Sequence, residues 1–267
     1  MARLRRRPNE GQSWMTPDQY LRQILTQQAV DTSNTSPIRT VQAVLTPIIQ
    51  QWAGDKLLGI TPSGSFAKGT ANRSGTDIDL FISLSPQTSE TLKEIYDKLF
   101  NWMQQKGYAP KRQNVSINVR MLGYDVDLVP AKRHDNSSND HSLYRRRAGT
   151  WTKTDVGQHI RHVLLSGRSD EIRILKRWRD QKALDFPSFY LELTVIAALS
   201  GAAGVQLATN VWKCLEYLRD KFSTARVVDP ANSNNVVSDD LTAVEKAKIK
   251  AAATQAIEAT RWDQIVL

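Results

Sequence analysis

The sequence predicts an α+β fold: a mixed α/β lobe followed by an all-helical lobe. Two observations carry this. Short apolar, strand-like runs are interleaved with amphipathic helical stretches up to about residue 130, whereas from about residue 155 onward nearly every segment has helical periodicity. The two halves are separated by residues 131–154, which are polar, rich in Arg, Asn and Ser, and without a clear period. That stretch reads as a loop and a lobe boundary, giving three parts: a basic tail over 1–15, an α/β lobe over 16–150 and a helical lobe over 151–267.

Helical spacing begins at Pro17, with Tyr20, Leu21, Ile24 and Leu25 on one face. A second helix is predicted from Pro37 to about Ala53, with Ser36 as N-cap ahead of a first-turn proline. Residues 57–62 form a short strand and Asp77–Leu84 another. Ser89–Lys106 is strongly amphipathic and ends at Gly107, a C′ residue. Two strands, Val115–Leu122 and Tyr124–Val129, meet at Gly123 as a tight antiparallel hairpin. Helices then follow over about 155–166, 170–182, 188–203, 211–222 and 240–259.

Bulk composition narrows the function classes. The 267 residues are 40% hydrophobic and 24% charged, ordinary for a globular protein with a sizeable core. The single cysteine, Cys214, excludes an intrachain disulfide and a cysteine-built zinc site. The longest apolar stretch, Leu191–Leu207, is interrupted by Glu192, Thr194 and Ser200 and reads as a core helix rather than a membrane span. The basic N-terminus is not followed by an apolar segment, so a secretory signal is not expected and the protein reads as cytoplasmic. A net charge of +9, from 36 basic and 27 acidic residues, favours polyanionic partners such as nucleoside triphosphates, RNA or another polyanion.

The chemistry concentrates in the carboxylates. Asp is unfavourable inside strands, yet Asp77 and Asp79 sit in the run Asp-Ile-Asp-Leu-Phe-Ile. Alternation puts both on one face while Ile78 and Leu80 face the core. Two like charges side by side are costly, and a divalent cation is a plain compensation; oxygen ligands suit Mg²⁺. The pattern recurs as Asp125-Val126-Asp127 on a second strand, enough for a three-carboxylate cluster of the kind used in two-metal phosphoryl transfer. The alternative is a solvated edge strand, which a lone pair would favour. Upstream, Gly64 permits close backbone approach to a phosphate, Ser65 opens a short helix, and Lys68 and Arg73 add positive charge.

Gly64-Ser65-Phe-Ala-Lys68-Gly69-Thr70 followed by Gly75-Thr76-Asp77-Ile78-Asp79-Leu80-Phe81 resembles the signature of the polymerase-β-like nucleotidyltransferases. Its spelling is closest to bacterial cGAS-like enzymes (CD-NTases), oligoadenylate synthases and archaeal-type CCA-adding enzymes. The resemblance implies a polymerase-β-like catalytic lobe with its active site in a cleft against the helical lobe. It implies Asp77, Asp79 and Asp127 as catalytic metal ligands for two Mg²⁺ ions, with Mn²⁺ as a substitute, and leaves Asp125 a flanking acid. Ile172–Trp178 is similar to a helix whose lysine, here Lys176, contacts the triphosphate. Pro187–Glu192 resembles the next helix start, which implies that Ser188 contacts phosphate and that Phe189 or Tyr190 stacks on the base. Val228-Asp229-Pro230 and Asn234-Asn235-Val236 look like a late segment of the bacterial and oligoadenylate-synthase groups.

Taken without the resemblance, Lys176 reads as a solvated lysine, Ser188 as a cap, and Phe189 and Tyr190 as core. His159 and His162 share a helical face but lack a third ligand, so they read as structural. Arg145-Arg146-Arg147 reads as a solvated loop, with an anion clamp as the sharper alternative. The leading functional expectation is synthesis of a cyclic or linear oligonucleotide signal in anti-phage defence, with regulatory or effector proteins as partners and no membrane. RNA terminal transfer of the CCA type is the alternative: the Asp125–Pro130 spelling favours it, and the missing length for tRNA-holding domains argues against it. A non-catalytic sensor and small-molecule adenylylation remain open.

Overall fold

The computed structural model describes residues 15–31, 33–75, 77–202 and 206–267. The predicted basic tail, apart from Met15, lies outside these residues, as do Thr76 of the motif and Ala203 at the end of a predicted helix.

The chain opens with α1 (Pro17–Gln27), capped by a reciprocal Thr16–Gln19 box, and α2 (Pro37–Ala53). Ser36 stands at the N-cap of α2 as expected, but its hydroxyl makes no capping bond and is buried without a partner. Then come β1 (Leu57–Pro62), the one-turn helix α3 (Gly64–Ala67), β2 (Ile78–Leu84) and α4 (Leu92–Gln105). The N-cap of α4 is Thr91, boxed with Glu94, two residues later than the sequence reading placed its start. Next are β3 (Lys111–Arg112), β4 (Ile117–Met121), β5 (Tyr124–Arg133), β6 (His141–Arg145) and β7 (Thr150–Thr154). Leu122 and Gly123, at φ +50° and +85°, make the tight β4–β5 turn.

The helical part comprises α5 (Val156–Leu165), α6 (Ser169–Gln181), α7 (Ser188–Ala198), α8 (Leu207–Asp220) and α9 (Ala243–Glu258). It also holds a two-stranded hairpin, β8 (Val228–Asp229) and β9 (Asn232–Val236), so the second half is not all-helical. Residues 131–154 are not a loop either: β5 runs on to Arg133, and β6 and β7 extend the sheet. Both corrections have one cause. His141, Ser142 and Leu143 are all buried, and β9 is written almost wholly in Asn and Ser, so neither stretch shows the period-two alternation that marks a strand.

The main sheet runs β1-β2-β5-β4-β3, with β6 and β7 continuing from the far end of β5. β2 and β5 are parallel at its centre; the other pairs are antiparallel. One apolar cluster packs α2 and α4 on the sheet through Val41, Leu45, Ile49, Tyr96, Leu99 and Met103. A second joins the C-terminal helices, and α1, although first in the chain, contributes Leu21, Ile24 and Leu25 to it.

Candidate active site

The central parallel pair sets the carboxylates. Asp79 and Asp127 are direct register partners on β2 and β5, and Asn118 on β4 pairs with Asp127 from the other side. Strand neighbours in register share a face, so the two carboxylates stand side by side there. Asp77 lies just before β2, on the more open side. Asp127 is fixed by three donors: Asn118 Nδ2 at 2.8 Å, Gln113 Nε2 at 3.1 Å and Ser116 Oγ at 3.3 Å. Asp125, two residues earlier on β5, pairs with Arg120 at 2.8 Å.

Burial and mutual repulsion push all three carboxyls upward. Asp79 is raised to about 7, by burial first and then by Asp127 and Asp77, against the lowering effect of Lys68 and Lys176. Asp77 is raised by burial, Asp127 and Asp125. Asp127 is raised by burial despite its bonds from Asn118 and Ser116. Among the described residues, no three acidic, histidine or cysteine side chains form a ready-made metal cage. The chemistry of the set still fits a hard divalent cation: desolvated, repelling oxygen donors on one face are the arrangement a cation relieves.

Gly64 explains the turn above them. The Ser63 N–H donates to Asp79 O at 2.9 Å, which draws the end of β1 over β2. Gly64 then adopts φ +57°, and a Cβ on it would sit 1.7 Å from Asp79 Oδ2. Only glycine accommodates both the left-handed backbone and that approach. Ser65 follows in α3, partly exposed, with its carbonyl accepting the Thr70 N–H at 2.9 Å.

A cavity of about 330 Å³ opens beside this turn, lined among others by Gly64, Lys68, Lys153, His159, Phe189 and Asp229. Lys68 Nζ stands 4.9 Å from the centre of the Phe189 ring. The His159 ring packs on Phe189 at 4.4 Å, and its Nε2 bonds Asp229 Oδ1 at 2.6 Å. Burial alone would raise the Asp229 carboxyl, but His159, Ala231 N–H and Asn235 hold it below the usual range.

The sequence-derived residues therefore divide. Asp77, Asp79, Asp127, Gly64 and Ser65 belong to one neighbourhood, and Lys68 and Phe189 meet in the adjoining cavity. Ser188 is exposed and accepts a bond from Arg179 Nη1 at 2.9 Å. Tyr190 departs from its assignment: it is fully buried in the helical core, packed against Phe186 and Phe222, and has no surface to offer a base. Lys176 is buried and bonded to Glu192 at 2.6 Å. His159 and Glu192 were not read as site residues. The signal for His159 was the Asp229-Pro230 segment, whose acid holds it; Glu192 showed only as a polar break in an apolar run.

Residues 49–148 match the family described as the nucleotidyltransferase domain. Enzymes of this family generally depend on a divalent metal. Proteins similar to this chain include oligonucleotide cyclases of Escherichia coli. Cyclic AMP-AMP-AMP synthase of Escherichia coli (strain MS 115-1) is 27% identical over 157 residues, 52% of this chain and 49% of that protein. The aligned part thus spans about half the length of the curated relative. The solved structure of E. coli MS115-1 CdnC with ATP superposes with a TM-score of 0.76 at 21% identity, covering 92% of each chain. The complex of the same CdnC with HORMA-deltaN gives 0.75 at 21%, covering 90% of this chain and 89% of that one. No helix among the described residues is long and apolar enough to cross a membrane.

Proposed function

We propose that this protein joins nucleoside triphosphates into a cyclic oligonucleotide second messenger, releasing pyrophosphate, as a cytoplasmic enzyme of bacterial anti-phage signalling. The observation that carries the reading is the in-register Asp79–Asp127 pair, with Asp77 beside it, on strands whose Phe81 and Val129 line a cavity that also offers Lys68 and the Phe189 ring. The similarity to Cyclic AMP-AMP-AMP synthase supports adenosine triphosphate among the substrates, and the CdnC–HORMA-deltaN complex supports a regulatory protein partner.

In this reading a ribose hydroxyl attacks the α-phosphorus, a new P–O bond forms, and the bond to the leaving pyrophosphate breaks. Asp77, Asp79 and Asp127 would hold two Mg²⁺ ions, which when bound supply positive charge to the triphosphate and acidify the attacking hydroxyl. Asp127, oriented by Asn118, Gln113 and Ser116, is the carboxylate placed to assist removal of the hydroxyl proton. The Gly64 turn brings backbone against the triphosphate without a side chain in the way. Phe189, backed by His159, offers its ring to the base.

Labelled ATP, GTP, CTP and UTP, singly and mixed with Mg²⁺ or Mn²⁺ and no RNA, test this by phosphatase treatment and chromatography. A phosphatase-resistant product that disappears in Asp77→Ala supports the reading. Labelling that occurs only after tRNA or total RNA is added overturns it in favour of terminal transfer.

A further inference from the structure

A second cavity, of about 410 Å³, lies on the other side of the main sheet from the carboxylates. Along β2, Asp79, Phe81 and Ser83 alternate with Ile78, Leu80, Ile82 and Leu84. The second set packs with α2 and α4, and Leu84 lines this cavity. Among the described residues, the two cavities have no lining residue in common. The walls come from Trp52 at the end of α2, from Lys56 just beyond it, and from Lys98, Asn101 and Trp102 on α4. Residues three and four apart on a helix are neighbours, so one face of α4 presents those three together. The Trp102 ring is fixed by its Nε1–H, which donates to Ile48 O at 3.0 Å. Thr88 also lines the cavity; it is buried, and its hydroxyl has no hydrogen-bond partner. A buried orphan hydroxyl is a cost that a hydrogen-bonding guest relieves.

We propose that this cavity is a binding site for a nucleoside monophosphate, separate from the catalytic centre. Its size falls in the range of small-ligand pockets, and its lining divides into the three chemistries that such a molecule needs met. Trp52 and Trp102 supply aromatic surface for a base. Asn101 and Thr88 supply hydrogen-bonding groups for its polar edge. Lys56 and Lys98 supply charge for the phosphate. Lys56 pairs with Asp55 and Lys98 with Glu90, each at 2.8 Å, and all four side chains reach solvent. Ion pairs of that kind are weak, and an ammonium has three donors, so both lysines can add a phosphate oxygen at little cost. A bare anion would leave the tryptophans uncovered, and an uncharged aromatic would leave the lysines unused. The site meets β2 at Leu84, on the strand that carries Asp79 through the opposite face. The inference stands on this lining alone and does not depend on the reaction proposed above.

Calorimetric titration of the full chain with AMP, GMP, CMP and UMP tests the site. Chelator is present throughout, so that no divalent cation draws phosphate to the carboxylates. At least one of the four is expected to bind, with its nucleoside and ribose 5-phosphate each at least about tenfold weaker. Lys56→Glu, on a solvent-reaching side chain, should weaken the nucleotide about tenfold or more while its melting temperature stays close to wild type. Thr88→Val replaces the orphan hydroxyl by a methyl group of similar size; it should fold as stably as wild type and bind about threefold or more weakly. Lys68→Met, in the catalytic cavity, should bind within about threefold of wild type. Binding of none of the four, or undiminished binding by both Lys56→Glu and Thr88→Val, overturns the proposal. So does a loss confined to Lys68→Met, which would put the nucleotide in the catalytic cavity. Ribose 5-phosphate binding as tightly as the nucleotide would reduce the site to one for a simple phosphate and overturn it too.

Discussion

Gly64→Ala puts the geometry of the carboxylate turn to its most direct test. The substitution adds one methyl group and changes no charge. At φ +57° an alanine sits in the left-handed region, which costs about 1–2 kcal/mol. Its Cβ would lie 1.7 Å from Asp79 Oδ2 and 2.4 Å from Asp79 Cγ, so the carboxylate must rotate away. Forcing a side chain off its rotamer adds about 0.5–1.5 kcal/mol. The sum is roughly 1.5–3.5 kcal/mol, which for a chain of this size corresponds to a fall in melting temperature of about 3–14 °C.

The catalytic loss should be larger than the loss of stability. Asp79 is the central carboxylate, in register with Asp127, and a displacement of order 1 Å at a reacting centre costs about 100-fold in rate. Thermal melting followed by circular dichroism and initial rates of pyrophosphate release, both at a temperature where the variant is folded, read the two effects separately. A variant that melts within about 1 °C of wild type and keeps its rate would refute the placement of Gly64 over Asp79.

Three further outcomes follow from the same geometry. Because the folded Asp79 carboxyl is raised from 3.8 to about 7, the folded protein keeps a proton that the unfolded chain releases. This group's stabilisation is therefore complete below pH 3.8 and is lost as pH rises to about 7; melts of chelator-treated protein should fall across that window, Asp79→Asn should flatten the fall, and Mg²⁺ should raise the melting point of wild type only. Glu192→Ala strands two lysines beside an empty space and should cost about 3–5 kcal/mol in chemical denaturation; a loss below about 1 kcal/mol would show that the lysines escape to solvent. His159→Ala removes the ring behind Phe189 and the partner of Asp229, and should raise KM for ATP about tenfold while kcat changes little; the opposite split, kcat falling at constant KM, would move His159 to the reacting centre.

What the sequence revealed and what it concealed differ in the range of the interaction involved. Asp77 and Asp79 were legible because their oddity is local: two charges inside an apolar strand ask for a partner whatever the fold. The closeness of Gly64 to something was legible in kind, since glycine before a short helix signals backbone approach, but the nearest group is Asp79 itself, which only the hydrogen bond from Ser63 to Asp79 O makes evident. Strands β6 and β7 were hidden because burial on them follows neighbouring elements rather than alternation.

Glu192 shows the general limit. In the sequence it interrupts Leu191–Leu207, and its one inference was negative, against a membrane span. In the fold the interruption is the point: a fully buried glutamate is tolerable only if paired, and its pairs come from Lys68, Thr70 and Lys176, two of them more than a hundred residues away. The same lysine helix read alone gave Lys176 an open face, because periodicity reports which side is apolar and not what covers the rest. A buried charge in an apolar helix is thus a question that periodicity raises and only tertiary structure answers.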